Sequence, residues 1–268
     1  MNSASPSPSF RTPRGRRLSF LDFGGPGAPV LALHGHFGRA RSYAPLAAAL
    51  APRHRLIALD QRGHGLSEGG GPFSADEYAA DAAALIEELG IAPLPVVGHS
   101  MGGLVAYALA AARPELVRAL VIEDMGAVNQ PPEVAHPVLD VSDWPVRADS
   151  REALGEAIAA RGIPDPAYFL DSAEPDGDGW RLLFDPADMM ESQRATTGDH
   201  WPRWLASSCP ALLLHGEHSF MLSAAHAHEM TARRPGVKLL QFPDCGHWLH
   251  DDAPEDYARA VASYLNNL

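Results

Sequence analysis

The sequence predicts a doubly wound, mostly parallel α/β sheet that carries one large, mainly helical insertion. Three observations predict it. Six short apolar runs, at 29–35, 55–61, 94–100, 118–124, 210–216 and 237–243, are continuous rather than alternating, which suits strands covered on both faces. Ala-, Leu- and Glu-rich segments of helical length lie between most of them, at 39–51, 75–89, 101–112 and 221–234, and another at 254–267 closes the chain. Strand alternating with helix gives a parallel sheet with right-handed crossovers. The alternation breaks once, from about 130 to 208.

The elements follow in order. The first nine residues belong to a Ser-, Pro- and Arg-rich start with no apolar stretch. They read as a frayed tail rather than a signal peptide, with a basic docking arm as the alternative. Residues 10–14 and 17–23 alternate enough for an antiparallel opening hairpin, strands one and two, so the six apolar runs are strands three to eight. Residues 10–129 and 209–268 then form the core, and 130–208 is inserted between strands six and seven. The insertion is rich in Pro, Asp and Gly. It also holds four of the five tryptophans, Trp144, Trp180, Trp201 and Trp204, with Tyr168, Phe169 and Phe184. Disordered segments are poor in aromatics, so a folded, mainly helical lid is expected.

The chain of 268 residues is 46% hydrophobic, enough for a sizeable core, and its formal charge is −12. A negative chain makes a poor nucleic-acid partner. No apolar run approaches the roughly 18 residues of a membrane span. The expected partner is a small-molecule substrate. Of the two cysteines, Cys209 precedes strand seven and Cys245 follows strand eight. Parallel strands place them at opposite ends, roughly 15 Å apart at about 3.3 Å per residue, too far for a disulfide. This suits a reduced, cytoplasmic protein.

The strongest chemical signal is LPVVGHSMGGLVAYALAAA. A buried strand runs through Gly98-His99-Ser100-Met101-Gly102 into an Ala-rich helix. A serine on so sharp a strand-to-helix turn is exposed at the sheet's C-terminal edge, and glycines two residues either side avoid a clash. The helix N-terminus below favours developing negative charge. Ser100 is therefore the candidate nucleophile. The alternative is an idle serine in a structural turn.

LALHGHFG, DQRGHGLSE, VGHSMGG, LLLHGEHS and CGHWLHDDAPED stand in an order and at spacings that resemble the α/β-hydrolase fold family, over nearly the whole chain outside the insertion. The resemblance implies a Ser…acid…His triad and an oxyanion hole of two backbone N–H groups. One donor would be Met101, after the nucleophile. The other would be His36, after His34-Gly35, with Phe37 as the neighbour to test next. Gly63 and Gly65 read as turn residues, Arg62 and His64 as structural. His247, just past the last core strand, stands in the family's context for the base; His250 is its competitor. Thirteen histidines raise a metal reading, but no HExxH or Cys/His set is present, and none is expected.

The acid is where this chain departs from the commonest family pattern. That pattern puts an aspartate in the loop after strand seven, where this chain has Gly216-Glu217-His218-Ser219. The family's second solution places the acid at the end of strand six, which here ends in Glu123 and Asp124. Asp124 is the expected acid, at a spacing that resembles some lactone hydrolases and a haloalkane dehalogenase subgroup; the latter uses an aspartate nucleophile, so Ser100 argues against its chemistry. Glu123 and Glu217 compete with Asp124.

The expected protein is a cofactor-free hydrolase of carboxylic esters or lactones, acting through an acyl-enzyme. Phe37, Trp144, Trp180, Met189, Trp201 and Trp248 are the candidate pocket residues for an apolar, ring-bearing substrate. The same triad also serves thioesterases, carbon–carbon bond hydrolases and perhydrolases. A hydrolase-like receptor is the reading of another class, favoured by the missing strand-seven acid.

Overall fold

The computed structural model describes residues 8–268. An eight-stranded sheet has the order β1-β2-β4-β3-β5-β6-β10-β11. Strands β1 (Ser9–Arg11) and β2 (Arg17–Asp22) form the antiparallel opening hairpin. The other six are mutually parallel: β3 (Ala28–Leu33), β4 (His54–Leu59), β5 (Leu94–His99), β6 (Val117–Glu123), β10 (Ala211–Gly216) and β11 (Val237–Phe242). They are the strands that the apolar runs predict. β5 and β10 are buried at every position, whereas β11, at the edge, alternates. Ser9, assigned to the tail by sequence, already pairs with Ser19; residues 1–7 lie outside the described residues.

Two apolar layers flank the sheet. Helices α2 (Ala75–Leu89), α3 (Met101–Ala112) and α8 (Ala224–Arg233) share one core cluster, and α1 (Ala44–Leu50) and α9 (Pro254–Leu265) share the other. The ends of α2 follow from its sequence. Ser74 Oγ accepts from Glu77 N at the start, and Gly90 closes the helix at φ 63°, a left-handed angle at which glycine has no Cβ penalty. Among the described residues no helix is long and apolar enough to cross a membrane.

The chain order reverses at β3, whose neighbours are β4 and β5. Loops leaving the C-terminal ends of two such strands diverge to opposite faces and open a crevice between them. The loop after β3 begins at His34, and the turn after β5 is Ser100.

Between β6 and β10 lie α4 (Arg151–Ala159), α5 (Ala167–Asp171), α6 (Pro186–Thr196) and α7 (Trp201–Ala206). A small antiparallel sheet accompanies them, with β7 (Arg147–Ala148), β8 (Ala173–Asp176) and β9 (Gly179–Leu182) in the order β7-β9-β8. This sheet is absent from the sequence reading. Its strands have two to four residues, too few to show a period. Apolar residues of the insertion form their own cluster, and Phe37 from the loop after β3 is embedded in it. The last helix departs from the lid boundary at 208. Trp204 packs edge-on against Tyr107 of α3, and its indole N–H donates to Met230 O at 3.1 Å. α7 therefore belongs to the core packing.

Candidate active site

Ser100 stands between β5 and α3 with φ 52° and ψ −122°, a backbone that a residue with a Cβ adopts only when its surroundings impose it. The glycines around it are sterically required. A Cβ at Gly98 would lie 2.2 Å from Gly102 O, and one at Gly102 would lie 1.9 Å from Leu33 O. Ser100 N–H donates to Glu123 O at 2.9 Å. The serine is thereby held against the peptide that joins Glu123 to Asp124.

Asp124 is fully buried and also has positive φ, 51°. Its Oδ2 accepts from His247 Nδ1–H at 2.7 Å, and its Oδ1 accepts from Gly216 N–H at 3.1 Å. Ser219 Oγ–H also donates to Oδ2. Three donors thus meet the buried carboxylate, which offsets its desolvation. The bond from Nδ1 leaves Nε2 as the ring's unprotonated acceptor.

Glu123, the neighbour of Asp124, faces the other way. Its Oε1 accepts from His250 Nδ1–H at 2.6 Å and from His250 N–H at 3.1 Å. Burial resists both charges, but their mutual attraction prevails. The Glu123 carboxyl is held down at about 2, and His250 is pushed up to about 9. His99 packs 4.8 Å from both His247 and His250, and its Nε2–H donates to His247 O at 3.1 Å. Burial keeps His99 neutral. Two adjacent carboxylates therefore hold two histidines, and Asp124, not Glu123, reaches His247. Glu217, the other competing carboxylate, is exposed and accepts from Asp244 N–H.

Hydrogen bonds hold the loop after β3. Gln61 N–H donates to His34 Nε2 at 3.1 Å, so the His34 ring carries its proton on Nδ1 and donates to Gly35 O at 2.8 Å. Gly38 N–H reaches the same carbonyl at 3.2 Å. Since N–H and C=O of a trans peptide point in opposite directions, this sets where His36 N–H points. A Cβ at Gly35 would lie 3.1 Å from Ser100 Cβ, so this loop runs against the serine. Met101 is the first residue of α3, where a helical N–H has no partner within the helix.

The remaining sequence candidates separate. Trp248 packs 5.3 Å from both His247 and Tyr168, and 5.8 Å from Phe220. Trp144 stacks on Phe37 at 6.2 Å and, like Met189, is packed inside the insertion's own apolar cluster. Trp180 is half-buried in β9. Trp201 does not join the site. Arg233 stacks on its face at 3.7 Å and His226 meets it at 5.4 Å, because the apolar face of α7 turns toward α8. Phe220 was missed by the sequence reading. Its ring lies 4.9 Å from His247 while the residue stays 57% exposed. Its place directly after Ser219 was the available signal.

Two trios of possible metal donors occur among the described residues, His99/Glu123/His250 and the exposed Glu217/His218/Asp244. In the first, His250 is already paired with Glu123 and His99 with His247 O. A cavity of about 230 Å³ lies behind the loop after β3. Its lining includes His34, His99, Tyr168, His250 and Tyr257 but neither Ser100 nor His247.

A strained serine between glycines, a histidine backed by a buried carboxylate and a donor loop at a topological switch point define a hydrolase of the α/β type. The sequence profile of the alpha/beta hydrolase family matches residues 30–260, and the chain belongs to that family. It is 31% identical over 255 residues to 2-(acetamidomethylene)succinate hydrolase of Mesorhizobium japonicum (strain LMG 29417 / CECT 9101 / MAFF 303099), covering 90% of this chain and 89% of that one. The crystal structure of an E-2-(acetamidomethylene)succinate hydrolase superposes with a TM-score of 0.81 at 28% identity, over 97% of this chain and 99% of that one. The sn-1-specific diacylglycerol lipase ABHD11 of Mus musculus is 29% identical, over 88% of this chain and 80% of the relative.

Proposed function

We propose that the protein is a cofactor-free hydrolase of uncharged carboxylic esters or lactones, working through Ser100, His247 and Asp124. The observation that carries this reading is the 2.7 Å bond between His247 Nδ1 and Asp124 Oδ2. It leaves Nε2 free to take a proton beside the strained serine turn. Ser100 Oγ attacks the substrate carbonyl as His247 Nε2 takes its proton. The oxyanion forms against the N–H groups of His36 and Met101. His247 then protonates the leaving alkoxide and, in the second half, activates the water that releases the acid.

The aromatic rings packed on His247 are Phe220, Trp248 and His99. They offer apolar faces and no fixed positive charge. A dicarboxylate such as a substituted succinate would need cationic partners on desolvation. An uncharged acyl group suits these neighbours better, and the likeness to an sn-1-specific diacylglycerol lipase supports ester chemistry.

An organophosphonate tests the reading. It is expected to label wild type at Ser100, and Ser100→Ala should keep the fold and lose at least about 10⁴ in kcat on p-nitrophenyl butyrate. Labelling elsewhere, or near-normal turnover in the variant, would remove Ser100 as the nucleophile.

A further inference from the structure

The loop that would supply an oxyanion donor is held from two sides, and one side is the insertion. From the core, His34 and Gly38 pin Gly35 O, which sets the 35–36 peptide. The next peptide, 36–37, is held by the insertion. Tyr168 Oη–H of α5 donates to His36 O at 2.9 Å. The His36 ring is held there too, with its Nε2 3.0 Å from Ser192 Oγ of α6. Burial keeps that ring uncharged, its pKa pulled down to about 3.

Ser192 makes two further contacts. Its hydroxyl lies 2.7 Å from Tyr78 Oη of the core helix α2 and 3.9 Å from Met101 Sδ. One fully buried serine of the insertion thus touches the side chains of both residues whose N–H groups would form the hole. Phe37 adds an independent sign. It has φ 66°, a left-handed angle that a bulky residue adopts only when its surroundings impose it. It is kept there by burial among insertion aromatics, with Phe169 at 5.2 Å and Phe184 at 5.3 Å.

Taking the serine-hydrolase reading above as its basis, we propose that Tyr168 and Ser192 are positioning residues through which docking of the insertion sets the geometry of the oxyanion hole. With the insertion docked, the 36–37 peptide, the His36 ring and the Phe37 backbone are all constrained. With it displaced, those three constraints go together, and the loop relaxes from the strained conformation. The insertion is then more than a cover. Hydrogen-bond donors aimed at a developing charge stabilise it only if held in place beforehand.

The test uses full-length Tyr168→Phe and Ser192→Ala, variants that remove one hydroxyl each. Three readouts are taken: kcat and KM on p-nitrophenyl butyrate, the inhibition constant of a trifluoromethyl ketone that forms an oxyanion on the serine, and amide hydrogen exchange across residues 35–38. Each variant is expected to lose about tenfold or more in kcat, a part of what losing a whole oxyanion donor costs. KM should stay within about twofold, ketone affinity should fall in step with kcat, and exchange at 35–38 should quicken while β5 and β10 stay protected. Unchanged kcat, a rise in KM alone, or unchanged exchange at 35–38 overturns the proposal. Failure of a phosphonate to label Ser100 in wild type would instead count against the reaction, and the exchange measurement would still decide whether Tyr168 and Ser192 hold the loop.

Discussion

Ser219 hydrogen-bonds to Asp124. The residue at the commonest family position for the acid donates to the carboxylate that follows strand β6 and hydrogen-bonds to His247. Its Oγ in turn accepts from Met221 N–H and Leu222 N–H, at 3.0 Å each, so the serine ties the loop after β10 to the acid.

This places the two positions close enough to exchange roles. Asp124→Asn favours the wrong histidine tautomer and is expected to cost about 10³–10⁴ in kcat. Ser219→Ala leaves the Asp124–His247 pair intact and is expected to cost less than about tenfold, the net scale of one typical intramolecular hydrogen bond. In the Asp124→Asn background, Ser219→Asp supplies a carboxylate beside the same oxygen position. It should recover at least about tenfold over Asp124→Asn alone, as read in steady-state kinetics. No recovery, together with a loss in Ser219→Ala as large as that in Asp124→Asn, would show that the two residues are not interchangeable supports of one base.

Much of this arrangement was legible in the sequence, for reasons that differ by residue. The core strands show themselves because burial on both faces demands unbroken apolar runs, and Ser100 because the turn demands Gly98 and Gly102. Asp124 was reached through the absence of an acid at position 219. What stayed hidden depends on contacts between distant segments. Nothing local marks Tyr168 or Ser192 as reaching the loop after β3. His250 reads as a rival base until Glu123 is seen to hold it. Trp201 and Trp144 share a residue type and an insertion, yet one packs on α8 and the other on Phe37. Composition cannot separate them.

Phe220 bears on substrate choice. A large apolar side chain left more than half exposed beside His247 is stabilised when an apolar substrate covers it. Phe220→Ala is expected to lower kcat/KM for p-nitrophenyl hexanoate about fivefold, matching roughly 1 kcal/mol of lost apolar contact. The acetate ester has less apolar chain to cover the ring and should change by less than about twofold. A monosuccinyl ester, bringing a charge to the same aromatic surface, should be hydrolysed more slowly than the butyrate. Equal effects of the substitution on acetate and hexanoate would remove Phe220 from the binding surface.

The buried histidines contribute to the pH dependence of the fold's stability. Burial, with repulsion from a neighbouring imidazole, holds His34 at about 4 and His36 and His64 at about 3, against an ordinary value of 6.5. Below pH 6.5 the unfolded chain takes up protons that the folded one refuses, so stability falls as the pH drops from 6.5 toward these values. His250 acts in the opposite sense. Its pKa is raised to about 9, so its contribution is whole below 6.5 and is lost as the pH rises through about 9. Its partner Glu123, held at about 2, contributes fully above its ordinary 4.5 and loses that only as the pH falls through about 2. Thermal melts should therefore show highest stability near pH 6.5–7, with a histidine-driven acid limb and an alkaline limb from the His250–Glu123 pair. Glu123→Gln removes the counter-charge and should flatten the alkaline limb. In wild type, the His250 ring protons observed by NMR should titrate near pH 9. An alkaline limb of the same slope in Glu123→Gln, or a His250 titration near 6.5, would show that the second histidine–carboxylate pair is not an ion pair in the folded protein.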